Sequence, residues 1–191
     1  AWDTRGEGGG PRHALHLAAE GRRVVVVSSG DPGVFAMAAA VFDAAEGWPG
    51  ALPPIRVLPG ITAMLAAAAR AGAPLGHDFC AINLSDNLKP WTLIETRLRA
   101  ALAGDFAIAL YNPRSAARPA GFGRALAILR EGAAPDRLIT FARAVSTPQE
   151  SIRTVTLAEV QEDMADMRTL VIVGSSTTRR VGPWVYTPRG V

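Results

Sequence analysis

The sequence predicts an α/β protein built from two α/β domains, because short apolar runs alternate with helix-like segments. The run from Val24 to Val27 holds four consecutive valines, which is typical of a strand buried on both faces of a parallel sheet. It stops at a Gly/Asp/Pro turn and leads directly into an apolar-periodic segment over residues 34–46. The same order of strand, loop and helix recurs along the chain, so we expect helices to cover a sheet.

The first part of the chain predicts helices and strands in turn, separated by Gly and Pro. The glycines at 8–10 indicate a flexible linker, and Pro11 suits the first turn of a helix that ends before Gly21. A breaker-rich connection over residues 48–54 precedes the second strand. The predicted elements are a helix over 11–20, a strand over 22–27, a helix over 34–46, a strand over 55–58 and an alanine-rich helix over 64–71.

The second part repeats the alternation and ends in a polar tail. Its predicted strands cover 79–84, 106–111, 137–141, 151–155 and 169–173, and its predicted helices cover 92–102, 121–130 and 157–164. A linker-like turn near Gly72 to Gly76 indicates a boundary between Pro74 and Asp78. The sequence therefore predicts an N-terminal domain over 1–75 and a C-terminal domain over 76–191.

Composition excludes several classes of protein. No run approaches the roughly 20 apolar residues of a membrane helix, and the start of the chain lacks the pattern of a signal peptide. The single cysteine, Cys80, excludes an internal disulfide and is expected to be a buried, inert thiol. The net charge of +3 leaves a nucleic-acid-binding module open, but the arginines are scattered, and an acidic small molecule explains them at least as well.

The polar residues carry no recognisable acid–base or metal constellation. There is no Walker lysine motif, no nucleophile elbow and no His/Glu spacing for a metal, so we predict no metal site. His13 and His16 lie one helical turn apart without acidic partners and are expected on a solvated face. His77, next to Asp78 in a loop before a strand, is either structural or catalytic.

Loops at strand ends are the best candidates for a site, because open α/β sheets bind ligands at the carboxyl ends of their strands. After the valine run, Gly30 and Gly33 allow close backbone approach to a ligand, while Asp31 supplies a carboxylate. A tight turn with Asp31 capping the next helix is the alternative. At a second junction, Thr62 offers a hydroxyl at a helix start, although small residues there also favour helix packing.

Four motifs in order resemble the tetrapyrrole methylase family. They are SSGDPGVFAM at 28–37, PGITA at 59–63, YNPRS at 111–115 and VIVG at 171–174. GHDF at 76–79, LSDNLKPW at 84–91 and TPRG at 187–190 resemble the branch of that family that methylates carbon C17 of precorrin-3B and contracts the ring in cobalamin synthesis.

The resemblance implies S-adenosylmethionine in a cleft between two α/β domains, with a tetrapyrrole over it. It also implies a cytoplasmic enzyme, expected as a homodimer without nucleic-acid or membrane partners. The cofactor contacts that it implies are Ser29, Gly30, Asp31, Val34, Thr62, Ala63, Tyr111, Asn112, Val145, Thr169 and Leu170.

Further residues are candidates for the substrate side. Guanidinium groups bind carboxylates bidentately, so the candidates for holding peripheral carboxylates are Arg114, Arg118, Arg179 and Arg189. Ser85 and Asp86, with His77 as a weaker companion, are candidates for moving a proton during ring contraction. The alternative is that Ser85 and Asp86 cap the following helix or close the turn before Pro90.

The sequence also departs from the family pattern at its start. Family members begin with a further strand and a Gly-Pro-Gly-rich loop, and this sequence begins after them, so the N-terminal domain is expected to be incomplete. An inactive or truncated fragment of such an enzyme is therefore the alternative to an active methyltransferase.

Overall fold

A computed structural model describes residues 9–115 and 119–190 and divides the chain into two compact units, one ending at Thr62 and one beginning at Ala63. The predicted domain boundary near residue 75 stays a prediction. The alanine-rich helix belongs to the second unit, because Ala67 and Ala68 are buried there against Leu170. The mixed α/β class is confirmed, since helices and two sheets make up the described chain.

The first unit contains two helices, α1 (Gly9–Ala19) and α2 (Met37–Ala45), that pack on each other. The predicted linker at 8–10 is therefore partly helical, since α1 begins at Gly9. The second helix begins later than its apolar period predicts. Phe35 has a left-handed φ of 52°, which a continuous right-handed helix does not admit.

The predicted strands of the first unit are wrong among the described residues. The segments 22–27 and 55–58 pair with no described neighbour in a ladder, and a strand needs a neighbour to take its N–H and C=O groups. Val25 and Val27 are 82% and 85% exposed instead of buried. Both segments, with α1 and α2, line an apolar groove of about 590 Å³.

The second unit carries the sheets and the remaining helices, and its order begins with α3. The helices are α3 (Ala63–Ala71), α4 (Trp91–Ala103) and α5 (Gly121–Gly132). The strands are β1 (Gly72–Ala73), β2 (Phe79–Asn83), β3 (Ala107–Tyr111), β4 (Leu138–Arg143), β5 (Ser151–Thr156), β6 (Thr169–Val173), β7 (Arg179–Val181) and β8 (Trp184–Tyr186).

Five strands form the main sheet in the order β2-β3-β6-β4-β5. The first two, β2 and β3, are parallel, whereas β6 lies between β3 and β4 and is antiparallel to both. It follows that β2, β3 and β4 end at the edge of the sheet where β6 begins. We call this edge the site edge; it holds Asn83, Tyr111, Arg143 and Thr169.

The two faces of β6 show how the sheet is covered. Val171 and Val173 belong to the large apolar core that α4 and α5 share with the sheet, whereas Leu170 and Ile172 pack with α3 on the other face. Side chains of a strand point alternately to opposite faces, so the four apolar residues of this strand, Leu170 to Val173, are buried on both. Phe122 of α5 is fully buried in the larger core.

Two parts of the second unit differ from the sequence prediction. The polar tail contains a hairpin, β7 and β8, that joins β1 in a three-stranded sheet. The helix predicted over 157–164 is two short 3₁₀ turns, Leu157–Glu159 and Glu162–Met164. Thr156 and Glu159 form a capping box at the start of the first turn. Each turn has only three residues, so neither forms an α-helix.

At the edge opposite the site edge, an acidic residue between α4 and β3 connects the residue before β4 with the turn after β6. Asp105 accepts hydrogen bonds from the Ser176 N–H at 2.8 Å and from the Ser176 hydroxyl, and its carboxylate lies 3.1 Å from the Arg137 guanidinium. The Arg137 side chain is nearly buried and also donates to the Gly174 carbonyl at 2.9 Å. Partial burial works to raise the pKa of Asp105, but these donors outweigh it and the pKa is lowered.

Replacing Asp105 with Asn is expected to lower the free energy of unfolding by about 1 kcal/mol, because Arg137 loses its anion while solvent still screens the part-exposed pair. Urea denaturation measures the change. Because the folded-state pKa is lowered, the stabilisation is present above the ordinary Asp pKa and disappears as pH falls through the lowered value. The gap between variant and wild type should therefore close below about pH 4.

Asp136→Asn is the matched control, since Asp136 is exposed and lies next to Arg137 in the sequence. Equal losses in both variants would show that net charge, and not the network around Asp105, sets the stability.

Candidate functional site

In the first unit, one carboxylate joins the two loops that sequence motifs single out. Asp31 accepts a hydrogen bond from the Gly33 N–H at 2.8 Å through Oδ1, and one from the Gly60 N–H at 3.0 Å through Oδ2. The bond from Gly60, followed by that from Gly33, lowers the pKa of this carboxyl. Asp31 therefore stays ionised at neutral pH and ties the loop after the valine run to the loop before Thr62.

The same two loops approach each other so closely that a side chain has no room between them. A Cβ on Gly60 would lie 2.0 Å from the backbone oxygen of Gly30, and Gly30 itself has a left-handed φ of 67°. Of the other candidates here, Ser29 is exposed, Val34 is half-buried and Thr62 is buried. Glycine is needed at 60 for space and at 30 for backbone conformation.

In the second unit, the topology of the sheet gathers the remaining candidates for cofactor contact at the site edge. Tyr111 and Asn112 end β3, Val145 follows β4, and Thr169 and Leu170 begin β6. Strands β3 and β4 both pair with β6, so these residues share one edge although they are up to 59 residues apart in the sequence. Ala63, the first residue of α3, is exposed.

Left-handed backbone occurs in the turns at the site edge, as it does at Asp105 at the opposite edge. Asn112 has a φ of 50°, Ala144 of 49° and Ser146 of 66°, values that residues with a side chain rarely adopt. The turn after β4 is held by the Thr147 hydroxyl, which donates to the Ala144 carbonyl at 2.8 Å, and by Glu150, which accepts from the Ser146 N–H at 2.6 Å. Such strained residues concentrate at functional sites.

The Tyr111 hydroxyl accepts a hydrogen bond from the Met64 N–H at 3.0 Å, which fixes the start of α3 against β3. Val145 and Leu170 pack in the apolar cluster beneath α3. Thr169 is buried, and its hydroxyl donates to Asp166 at 2.7 Å. The Thr169 hydroxyl is therefore engaged within its own turn.

Arg143 and Asp166 form an ion pair of 2.7 Å at the site edge. Partial burial works to raise the pKa of Asp166, but hydrogen bonds from Thr169, Arg143 and the Arg168 N–H outweigh it and the pKa is lowered. The sequence analysis did not single out this pair. It closes the turn between the second 3₁₀ turn and β6.

The candidates for proton transfer are not all brought together. Ser85 is half-buried and Asp86 exposed, and both follow β2 at the site edge. His77 precedes β2, so it lies at the opposite edge, separated from them by a five-residue strand of roughly 16 Å. Its ring lies 3.8 Å from the neighbouring Asp78 carboxylate, and the structure does not group it with Ser85.

A residue that the sequence analysis missed holds the Ser85 turn. Asn83, the last residue of β2, accepts hydrogen bonds from the Ser85 N–H at 2.9 Å and from the Asn112 side chain at 3.0 Å. The signal in the sequence was a polar amide at the end of an otherwise apolar strand.

The candidate arginines are dispersed. Arg114 is half-buried in the loop after β3, at the site edge. Arg179 lies on β7 of the three-stranded sheet, Arg189 lies three residues after the end of β8, and both are exposed. Arg118 lies outside the described residues.

The described residues bear on three further expectations. Among them, no group of three or more His, Cys, Asp or Glu side chains could hold a metal ion. No described helix is both long and apolar enough to cross a membrane. Cys80 is half-buried on β2, and burial raises the pKa of its thiol, as expected of an inert cysteine.

The mixed sheet, with polar turns from several strands gathered at one edge, defines an α/β protein with a candidate ligand site at its strand ends. The chain belongs to the tetrapyrrole methylase family: the model of the Tetrapyrrole (Corrin/Porphyrin) Methylases matches residues 12–161. A precorrin-3B C(17)-methyltransferase from Sinorhizobium sp is 50% identical, over 99% of this chain and 77% of that protein.

Solved structures agree with this assignment. The crystal structure of the methyltransferase CobJ is 66% identical and superposes with a TM-score of 0.95, over 98% of this chain and 79% of that one. The uroporphyrin-III C-methyltransferase of Thermus thermophilus, complexed with S-adenosylhomocysteine, is 24% identical with a TM-score of 0.60, over 86% of this chain and 71% of that one. This second likeness shows the fold alone.

Replacing Gly60 with Ala is expected to lower the melting temperature, because the new methyl group would force Gly30 away and strain both hydrogen bonds of Asp31. Overpacking of this kind costs about 1–3 kcal/mol. Circular dichroism melting measures it. Gly10→Ala is the control, since nothing lies within 4 Å of its Cβ position in α1 and Ala favours a helix. An unchanged melting temperature for Gly60→Ala would contradict the close approach.

Proposed function

We propose that the protein transfers a methyl group from S-adenosylmethionine to C17 of precorrin-3B, with ring contraction, in cobalamin synthesis. The observation that carries the proposal is the site edge, where strand order collects Tyr111, Asn112, Val145 and Leu170 from three separate strands. Membership of the methylase family and the named relative at 50% identity support the reaction and its substrate.

The residues at the site edge suit a nucleoside joined to an amino acid. Asn112 and its left-handed turn are proposed to bond ribose or amino-acid atoms, and Val145, half-buried against the cluster that contains Leu170, is proposed as an apolar wall for adenine. In the first unit, Gly30 allows close approach, and Asp31 holds its loop against Gly60. We assign Ser29, Val34, Thr62, Ala63 and Thr169 to the same cofactor as proposals.

The cofactor supplies an electrophilic methyl group on a sulfonium. If it is bound here, the macrocycle carbon would supply the electron pair of the new bond to the methyl carbon, and S-adenosylhomocysteine would leave with the pair of the broken sulfur–carbon bond. This in-line displacement depends on alignment and exclusion of water more than on an acid or base, which fits the absence of a nucleophile and base pair from the described residues. The residues of the site edge therefore bind and orient.

The substrate presents carboxylates, and Arg114 is the arginine best placed to receive one, because it is half-buried beside Asn112. Arg118, Arg179 and Arg189 remain proposals for the same role. Ser85 and Asp86 are proposed to move a proton during ring contraction. The same role for His77 is less favoured, because His77 lies at the opposite edge of the sheet. A homodimer and a cytoplasmic location also stay predictions.

The proposal predicts that S-adenosylhomocysteine binds with measurable heat, and that precorrin-3B with S-adenosylmethionine yields a ring-contracted product carrying one further methyl group. Calorimetry and mass spectrometry with NMR measure the two. Arg114→Ala should raise KM for the tetrapyrrole and leave cofactor affinity unchanged, whereas the control Arg153→Ala, exposed on β5, should change neither. Absence of both heat and methylated product would overturn the proposal.

Ser85→Ala and Asp86→Asn are expected to lower the fraction of ring-contracted product while methyl transfer and the dissociation constant of S-adenosylhomocysteine stay near wild type. The reason is that contraction, unlike methyl transfer, requires a proton to move at a hydroxyl carbon. Chromatographic separation of contracted and uncontracted product gives the ratio. An unchanged ratio in both variants would leave these residues with only the turn before Pro90 as their role.

A further inference from the structure

Asn83 joins the ends of two parallel strands at the site edge. It is the last residue of β2 and pairs in register with Tyr111, and the Leu84 N–H donates to the Tyr111 carbonyl at 2.9 Å. Its side-chain oxygen accepts from the Ser85 N–H at 2.9 Å and from the Asn112 amide nitrogen at 3.0 Å. One oxygen therefore holds both the turn after β2 and the side chain after β3.

These bonds determine which way both amides point. A backbone N–H can only donate, so the atom of Asn83 that faces Ser85 is its oxygen. That oxygen accepts, so the atom of Asn112 that faces it is the nitrogen. Asn112 is left to direct its own oxygen away from Asn83, and no other described residue donates to that oxygen.

We infer that Asn83 is a positioning residue of the cofactor site, which orients Asn112 so that it presents a hydrogen-bond acceptor to the ammonium or hydroxyl groups of the cofactor. The inference rests on the proposed function, because it takes S-adenosylmethionine as the ligand. Asn83 itself touches no cofactor in this arrangement and acts through Asn112.

The backbone of Asn112 makes this orientation sensitive. With a left-handed φ of 50°, Asn112 departs from the path of β3, and the bond to Asn83 is the one side-chain hydrogen bond that the described residues give it. Without Asn83 the amide can rotate, and the ligand must then select one orientation at an entropic cost. Loss of Asn83 should thus weaken cofactor binding without removing any group that touches it.

The test is a double-mutant cycle read by calorimetry with S-adenosylhomocysteine. Asn83→Ala should raise the dissociation constant about tenfold. Asn83→Asp keeps an oxygen acceptor for both donors and should stay within about threefold of wild type. Asn112→Ala should weaken binding, and the double variant should bind no more weakly than Asn112→Ala alone, since Asn83 acts through Asn112.

The control is Asp105→Asn, which weakens the same sheet at its opposite edge and should lower the melting temperature without changing the dissociation constant. If wild type gives no heat with S-adenosylhomocysteine, the proposed function fails. If wild type binds but Asn83→Ala binds equally well, or the losses of Asn83→Ala and Asn112→Ala add, the positioning role fails and the proposed function stands.

Discussion

The insertion of β6 between β3 and β4 is the constraint on which the second unit depends. Because β6 is antiparallel to both neighbours, the end of each neighbour meets its beginning, and polar turns from distant parts of the sequence are gathered at one edge. The strand can occupy this central place only because all five of its residues are buried apolar or buried polar side chains. A charged residue at Ile172 would face α3, and one at Val171 would face α4 and α5.

The two edges of this sheet differ in the interactions that hold their turns. At one end, Asp105 and Arg137 form a compact network whose donors and acceptors are matched, which is an arrangement that serves stability. Left-handed backbone occurs at both ends, at Asp105 with a φ of 52° as well as at Asn112 and Ser146, but at the site edge no comparable network of ion pairs among the described residues surrounds Asn112. A well-packed sheet can carry left-handed turns at both ends, and ligand binding to the turns at the site edge is part of what the proposed function requires.

The sequence predicted the second unit well, because its strands are short apolar runs bounded by turn residues. Residues 169–173 were predicted as a strand with the bounds that are observed, and the strands at β2, β3 and β5 differ by one residue at an end. The order of the strands was not predictable in this way. The sequence from Thr169 to Val173 does not indicate that β6 lies between β3 and β4. This strand order is what brings Asn112 and Leu170 to the same edge of the sheet. Asn83 was missed for the same reason, since its partner is 29 residues away.

The valine run of the first unit shows where prediction from a sequence pattern fails. Four consecutive Val residues indicate side chains that favour burial, but the pattern does not identify the element that would bury them. Among the described residues, no strand pairs with Val25 or Val27, and both side chains are exposed. The loop that follows is nevertheless held in place, because the Asp31 carboxylate accepts hydrogen bonds from the N–H groups of Gly33 and Gly60. These bonds do not require a strand ladder. The geometry of this loop thus depends on local hydrogen bonds that the motif itself encodes, which explains how a sequence motif could indicate a candidate site where the predicted strand was wrong.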